Sequence, residues 1–476
     1  MSGRPPDFRP GAAALACGVA LAAAAAASEP SLPRALPADA AGAAAAVREL
    51  LRQDLYEDAL DLAGAAADRW PGEARLQVGR ADALYRRGDF DDAERCYRRA
   101  VEMDPNDASA HFGVGRILRT QGRYAIAAES FSRAAVLAPE APRHLRVLAN
   151  HLARREDAIR MLERYLDLAR TLPERGGEDE NTVRNVEGYL ALLRRMGDRP
   201  LSHLVKGEPC ILKLQHVGVQ PTVRLDIGKL KNQRFVFDTG ATGMTISPRL
   251  AARAKLEAIH PFTITGTGER RTETGDLVVI DRLAAGEGIV LENVTATVRE
   301  PTGTEEGLVG PSLFGSFDLR IDLKGGTLEL RPAGSPRAGR SEPFRNVGGQ
   351  IVIRAELQEV PLNAMVDTGA TGTLVARSAV ARAPGLQLLP GEWFRGENVG
   401  VGGRLADRKV LAEGSLSFAG RTYKAGGLVS GDLSRFSRAI ESEIYLILGA
   451  QHLDDTPFTL SYRDMTVTFE DPPAKR

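Results

Sequence analysis

The chain has 476 residues, too many for one hydrophobic core at about 150 residues per domain, so two to four domains are expected. Lys+Arg and Asp+Glu both number 62, which leaves neither the basic footprint of a nucleic-acid binder nor the acidic run of a solvating tail. Three cysteines in a chain of this length exclude a disulfide framework.

At the N-terminus, Arg4 and Arg9 precede an uncharged Ala/Leu/Val stretch over 11–27 that ends on Ala25-Ala26-Ala27 before Ser28. This is the pattern of an export signal over 1–27, with small residues where a signal peptidase cuts. Left uncleaved, the stretch would act as an anchor, although so short and alanine-dominated a run is a marginal membrane span. Lipid attachment at Cys17 fits less well, because apolar residues continue past it and Ala14 stands where leucine is expected. The mature chain is expected in the periplasm or outside the cell, with no membrane span.

Residues 40–170 are patterned as helices and repeat internally. Tyr56, Phe90 and Tyr124 fall about 34 residues apart, as do Ala59, Ala93 and Ala127, then Ala66, Ala100 and Ala134, then Pro71, Pro105 and Pro139. Gly88 matches Gly122, and Tyr97 matches Phe131. Small alanines let paired helices approach, glycine turns the chain between them and proline closes each unit, so the stretch resembles the tetratricopeptide repeat. The segment 154–169 reads as a degenerate fourth hairpin capping the stack. Such arrays bind peptides or partner domains along a concave side, where Arg75, Tyr85, Arg86, Arg116 and Arg119 are expected. These residues read as a groove for an acidic segment or, as helix charges more commonly do, as a solvated face. Cys96, beside Tyr97, reads as a small buried residue.

Residues 171–209 read as a linker with one more helix over 182–195. The texture then changes. Short alternating segments at 222–226, 234–237, 278–281, 295–298, 319–322 and 327–330, separated by Gly, Pro and Asn, indicate an all-β region. A second linker at 333–344, rich in Pro, Gly, Ser and Arg, divides it into halves at 210–332 and 345–472.

The hexapeptide DTGATG occurs in both halves, at 238–243 and 367–372, each time after a short apolar run. Further on come Leu308-Val309-Gly310 in the first half and Ile447-Leu448-Gly449 in the second, each followed by a helical turn and a hairpin. Apolar-apolar-Asp-Thr-Gly-Ala, then apolar-apolar-Gly, resembles the retropepsin-like aspartic proteases, and the continuing Thr-Gly is similar to their bacterial members. Each half resembles one complete subunit. Together they resemble a fused dimer, two β-barrel halves related by a pseudo-twofold axis behind an α-helical repeat domain.

The resemblance implies an aspartic endopeptidase acting on polypeptides, with Asp238 and Asp367 as its catalytic pair and no cofactor or metal. Two carboxyls held close together cannot both ionise, so they share one proton and supply both the base that activates water and the acid that protonates the intermediate. It further implies that Thr239 and Thr368 hydrogen-bond across the twofold and that Gly240 and Gly369 let backbone amides approach the carboxylates. Leu308, Val309, Gly310, Ile447, Leu448 and Gly449 would pack behind the catalytic loops. Gly266 and Gly268 in the first half, with Gly400 and Gly402 in the second, are the expected flap tips, although glycine suits any hairpin turn.

There are departures from the family. Ala241 and Ala370 stand where pepsin-type enzymes commonly have serine; without that hydroxyl the protonated carboxyl gains, and a pH optimum nearer neutral is expected. Thr242 and Thr371 replace an aspartate that contacts substrate backbone in retroviral enzymes, and neither flap tip carries a tyrosine.

Two rivals stay open. In one, the chain is a catalytically silent scaffold that only binds peptide; in the other, the Asp-x-Gly-x-x-Gly turns hold phosphate in an actin-like nucleotide-binding protein. Small β-rich halves without a GxxxxGK[ST] sequence count against the second. A metal-hydrolase HExxH and a GxSxG elbow are both missing from the sequence. A monomer whose halves pair within one chain is expected, because a short linker gives a high effective concentration.

Overall fold

The computed structural model describes residues 36–471 apart from 153, 172–179, 218–219, 265–272, 302–304, 384, 391–398, 401–402 and 405–408. The expected export signal lies outside them. Among the described residues no helix is long and apolar enough to cross a membrane.

Helices α1 (Ala40–Arg52), α2 (Tyr56–Arg69), α3 (Ala74–Arg87), α4 (Phe90–Met103), α5 (Ala108–Thr120), α6 (Tyr124–Leu137), α7 (Pro142–Ala149) and α8 (Arg155–Thr171) pack pairwise in chain order as helical hairpins. Gly88 and Gly122 end α3 and the α5 hairpin turn at φ +88° and +72°, a left-handed conformation that costs glycine little. The repeat aromatics pack where glycine leaves room. A Cβ on Gly113 would come within 2.1 Å of the Tyr97 ring, and one on Gly115 within 2.6 Å of Phe131. The fourth hairpin begins earlier than the sequence pattern indicated: its first helix is α7, opened by Pro142 in the first turn, and 154–169 supplies only the second. Cys96 is half-buried rather than buried.

Helix α9 (Glu180–Met196) is more than part of a linker. It packs on α8 and on the strand His260–Ile264, where Asn185 bonds both the carbonyl and the amide of Thr263, at 2.9 and 2.7 Å.

The β region forms two curled sheets and a third that both halves share. In the first half, Gln220–Ile227 and Leu230–Phe237 form a hairpin, and Leu308–Val309 joins parallel to the second strand. In the second half, Gln350–Leu357 and Val360–Val366 form the matching hairpin, with Leu446–Leu448 parallel to its second strand. The shared sheet runs Arg340–Pro343, Thr466–Phe469, Phe458–Ser461, Phe317–Asp322, Thr327–Pro332, Cys210–Lys213 among the described residues. Its order reads alike from either end: flanking strand, second hairpin strand, first hairpin strand. The halves meet at its centre, from Asp318 opposite Ser461 to Ile321 opposite Phe458.

Two stretches expected as linkers are therefore partly strand. Arg340–Pro343 pairs with Thr466–Phe469, and His203–Gly207 pairs with Ile289–Val298. Both are mostly exposed edge strands, so they lack the apolar alternation by which a strand announces itself.

The reading of the repeat arginines as a solvated face fails at Arg116. Arg116 is 2% exposed, lies 3.7 Å above the ring of buried Tyr85, and pairs with Asp82 at 3.3 Å and Glu441 at 3.2 Å. Arg143 also pairs with Glu441, while Arg75 stays exposed and Arg86 and Arg119 are half-buried. Around Tyr85, Arg86 and Arg116 the face expected to bind a partner is instead in contact with the chain's own second half. Its acidic partner lies 325 positions away, beyond the reach of any local pattern. One apolar core accordingly runs from Val78, Tyr85 and Ile117 into Phe235, Leu319, Leu362 and Ile447.

Candidate active site

Each DTGATG follows the inner strand of a hairpin whose apolar residues are wholly buried, Phe235 and Phe237 in one half, Met365 and Val366 in the other. The parallel strand behind each loop fixes its entry: Asp238 N–H donates to Val309 O and Asp367 N–H to Leu448 O, both at 3.0 Å. Gly310 and Gly449 must be glycine. A Cβ there would stand 2.2 Å from Ala241 O and 2.4 Å from Gly372 O.

The two loops are bonded to each other. Thr239 N–H donates to Thr368 Oγ1 at 3.0 Å, and that hydroxyl donates to Phe237 O at 2.9 Å. Reciprocally, Thr368 N–H donates to Thr239 Oγ1 at 2.9 Å, which donates to Val366 O at 2.8 Å. Both threonines are buried, so all four bonds are made out of contact with water.

This arrangement brings Asp238 and Asp367 together. Their carboxyls are close enough to interact directly. Asp238 Oδ1 accepts from Gly240 N–H at 2.8 Å, and Asp367 Oδ1 from Gly369 and Ala370 N–H, both at 2.9 Å. Each carboxyl also lies over the opposite loop's glycine: a Cβ on Gly240 would be 2.6 Å from Asp367 Cγ, and one on Gly369 2.5 Å from Asp238 Cγ.

Burial raises the pKa of both acids above the ordinary aspartate value, with the neighbouring Asp367 carboxyl and amide hydrogen bonds opposing the rise at Asp238. At Asp367 burial is joined by the charge of Asp238, and the carboxyl is held well above the usual range. Two raised, adjacent acids cannot both ionise, so one proton is held between them and the pair titrates as a unit.

Other supports were invisible in the motif. Gln220 of the first half donates to Gly369 O of the second at 3.0 Å, and Gly349 of the second lies against Thr242 of the first. The helix after each loop is tied to a glutamate ahead of the apolar-apolar-Gly segment. Glu306 accepts from Ser247 and Arg249, and Glu443 from Ser378. The two glutamates stand at different distances from their glycines, which is why aligning the halves by motif does not pair them. The halves also diverge. Thr373 Oγ1 accepts from Gly449 N–H and bonds His452 Nδ1, whereas the matching position of the first half is buried Met244. A cavity of about 270 Å³ opens beside Met244, walled by Leu204, Thr242, Ser312 and Phe314.

Of the expected flap tips, Gly266, Gly268 and Gly402 lie outside the described residues, and Gly400 pairs with Gly403 in a short antiparallel ribbon. Among the described residues no cluster of His, Cys, Asp or Glu is set to hold a metal ion.

An Asp-Thr-Gly loop backed by an apolar-apolar-Gly strand, in a curled β half that follows a helical repeat array, defines an aspartyl protease-like domain joined to a protein-interaction module. Comparison with known proteins supports both parts. Residues 222–313 match the aspartyl protease family, and residues 44–89 and 78–142 match the tetratricopeptide repeat. No curated protein matches the chain. Among solved structures, MamA (41-end) from Desulfovibrio magneticus RS-1 is 20% identical, with 34% of this chain and 88% of that chain covered, at a TM-score of 0.27.

Proposed function

We propose that the chain is an exported aspartic endopeptidase whose single active site is shared by two retropepsin-like halves of one chain. The observation that carries this reading is the convergence of the Asp238 and Asp367 carboxyls, each set against the opposite loop's glycine and held in place by the four reciprocal threonine bonds. The mirrored strand order of the shared sheet supports a pseudo-twofold relation of the halves.

The ionised acid of the Asp238–Asp367 pair takes a proton from a water placed between the two acids as the water oxygen bonds to the peptide carbonyl carbon. The protonated acid gives its proton to the carbonyl oxygen, where negative charge develops. In the second step the first acid protonates the amide nitrogen, the C–N bond breaks and the second acid recovers a proton from a hydroxyl of the intermediate. The pair returns to its starting state. The repeats suggest a protein partner as well, engaged outside the stretch filled by Glu441.

The test is an assay of purified mature protein against a peptide library at several pH values, beside Asp238→Asn and Asp367→Asn. Cleavage lost in both variants is the expected result. Cleavage that survives either substitution refutes a shared site, and peptide binding without cleavage by the wild type favours the scaffold.

A further inference from the structure

The end of α3 and the turn into α4 touch the second half at three points. Tyr85 O accepts from Ser442 Oγ at 3.2 Å, Arg86 O from Glu443 N–H at 2.7 Å, and Gly88 O from Asn363 Nδ2 at 3.2 Å. The last carbonyls of a helix need donors from somewhere. Leu84 O and Tyr85 O are capped locally by the Asp89 and Gly88 N–H groups, and the three further donors all belong to the two segments that lead to the second aspartate's loop. Asn363 lies on Val360–Val366, which runs directly into Asp367. Ser442 and Glu443 lead into Leu446–Leu448, whose last carbonyl accepts from Asp367 N–H at 3.0 Å. The two segments are cross-linked by Tyr445 N–H to Asn363 O at 3.1 Å.

The approach is close and locally unfavourable, as expected where surroundings enforce a geometry. A Cβ on Gly88 would lie 1.6 Å from Asn363 Nδ2. Glu441, held by Arg116 and Arg143, sits at φ +61°, a left-handed conformation a glutamate rarely adopts. In the first half the matching glutamate is held from within, Glu306 by Ser247 and Arg249. In the second, Glu443 links Ser378 to the repeat array.

We infer that the repeat array is a positioning element of the active site, with the α3–α4 turn setting the place of Asp367 through Asn363, Glu443 and the Glu441 ion pairs. The inference rests on the endopeptidase reading for its kinetic consequence alone. Whatever binds or distorts the array is thereby coupled to one aspartate of the pair and not equally to both.

The experiment uses the full mature chain with Asn363→Leu and Glu441→Gln, and with Arg438→Ala as a comparison that removes only a surface ion pair with Asp54. Folding is verified by circular dichroism. Steady-state cleavage is measured together with the ¹³C titration of the aspartate carboxyls. Displacing a catalytic group by a fraction of an ångström predicts that kcat falls about tenfold while KM stays within about twofold, and that the titration of the Asp238–Asp367 pair moves. Arg438→Ala is expected to match wild type in both. The inference is overturned if folded Asn363→Leu keeps the wild-type titration and kcat, or if Arg438→Ala does equal damage. Should the wild type cleave nothing, the endopeptidase reading fails, and the carboxyl titration still decides the coupling.

Discussion

Replacing Thr239 by valine keeps the shape of the side chain and deletes one hydroxyl. That hydroxyl donates to Val366 O at 2.8 Å and accepts from Thr368 N–H at 2.9 Å. Thr239 is 1% exposed, so water does not take its place, and the two groups left behind remain buried without partners. Each such group costs about 1–3 kcal/mol, giving a loss of about 2–6 kcal/mol against a typical stability of about 5–15 kcal/mol. With a urea m-value of about 2–3 kcal/mol/M, the unfolding midpoint falls by about 0.7–3 M. Thr239→Ser keeps the hydroxyl and should lose only about 1 kcal/mol for its methyl group. The assay is equilibrium urea unfolding followed by circular dichroism, with peptide cleavage measured on the folded baseline. If the midpoint of Thr239→Val coincides with that of Thr239→Ser, the threonine bonds do not hold the loops together and the reasoning is wrong.

Gly369→Ala places a methyl group 2.5 Å from Asp238 Cγ, so cleavage should fall by about a hundredfold or more while the urea midpoint moves far less. For pH, a working pair that carries one proton should lose activity in acid as the pair takes up its second proton, and in alkali as it gives up the shared one. Both pKa values are raised, by burial first, so the rate maximum should lie above the ordinary aspartate value of about 3.9, and a maximum below about pH 3 contradicts this. Glu441 runs the other way. Burial raises its pKa, but Arg143 and Arg116 prevail and hold it far below the usual glutamate range, so its contribution is present above that range and is lost only as pH falls through the depressed value. The array should thus stay docked under mildly acidic assay conditions, as small-angle scattering at pH 4 and 7 would show. Gly113→Ala drives a methyl group into the Tyr97 ring and should destabilise the protein by about 1–3 kcal/mol in thermal melts, whereas Gly64→Ala, which meets nothing inside α2, should stabilise it by up to about 1 kcal/mol.

The repeat period and the two DTGATG loops were legible because each is written in a short stretch: helix pairing in the spacing of Ala, Gly and Tyr, and loop geometry in residues that admit little else. Thr239 and Thr368 could be placed by motif because each bonds a loop of the same design. Glu441 could not, because a salt bridge leaves no trace in either local sequence and its partner Arg116 looks like any helix arginine. Arg340–Pro343 and His203–Gly207 were missed for a different reason. An edge strand with solvent on most of its side chains is selected for its backbone, and backbone carries no composition. Helix α9 was visible as a helix, but amphipathic spacing reports that one face is covered and not that Asn185 reaches Thr263.

The shared sheet has a consequence for how the chain comes into being. The strand Phe317–Asp322 finishes one edge when its own hairpin closes, yet its second neighbour, Phe458–Ser461, is made far later. At synthesis rates of about 5–20 residues per second, that edge waits on the order of ten seconds with unpaired amides and carbonyls. An unpaired edge is a template for pairing with other chains, so the first half is open to mispairing until its partner strand arrives. Truncations that end within the second half should accumulate as insoluble material, and the protein's yield should depend on how quickly its last hairpin arrives.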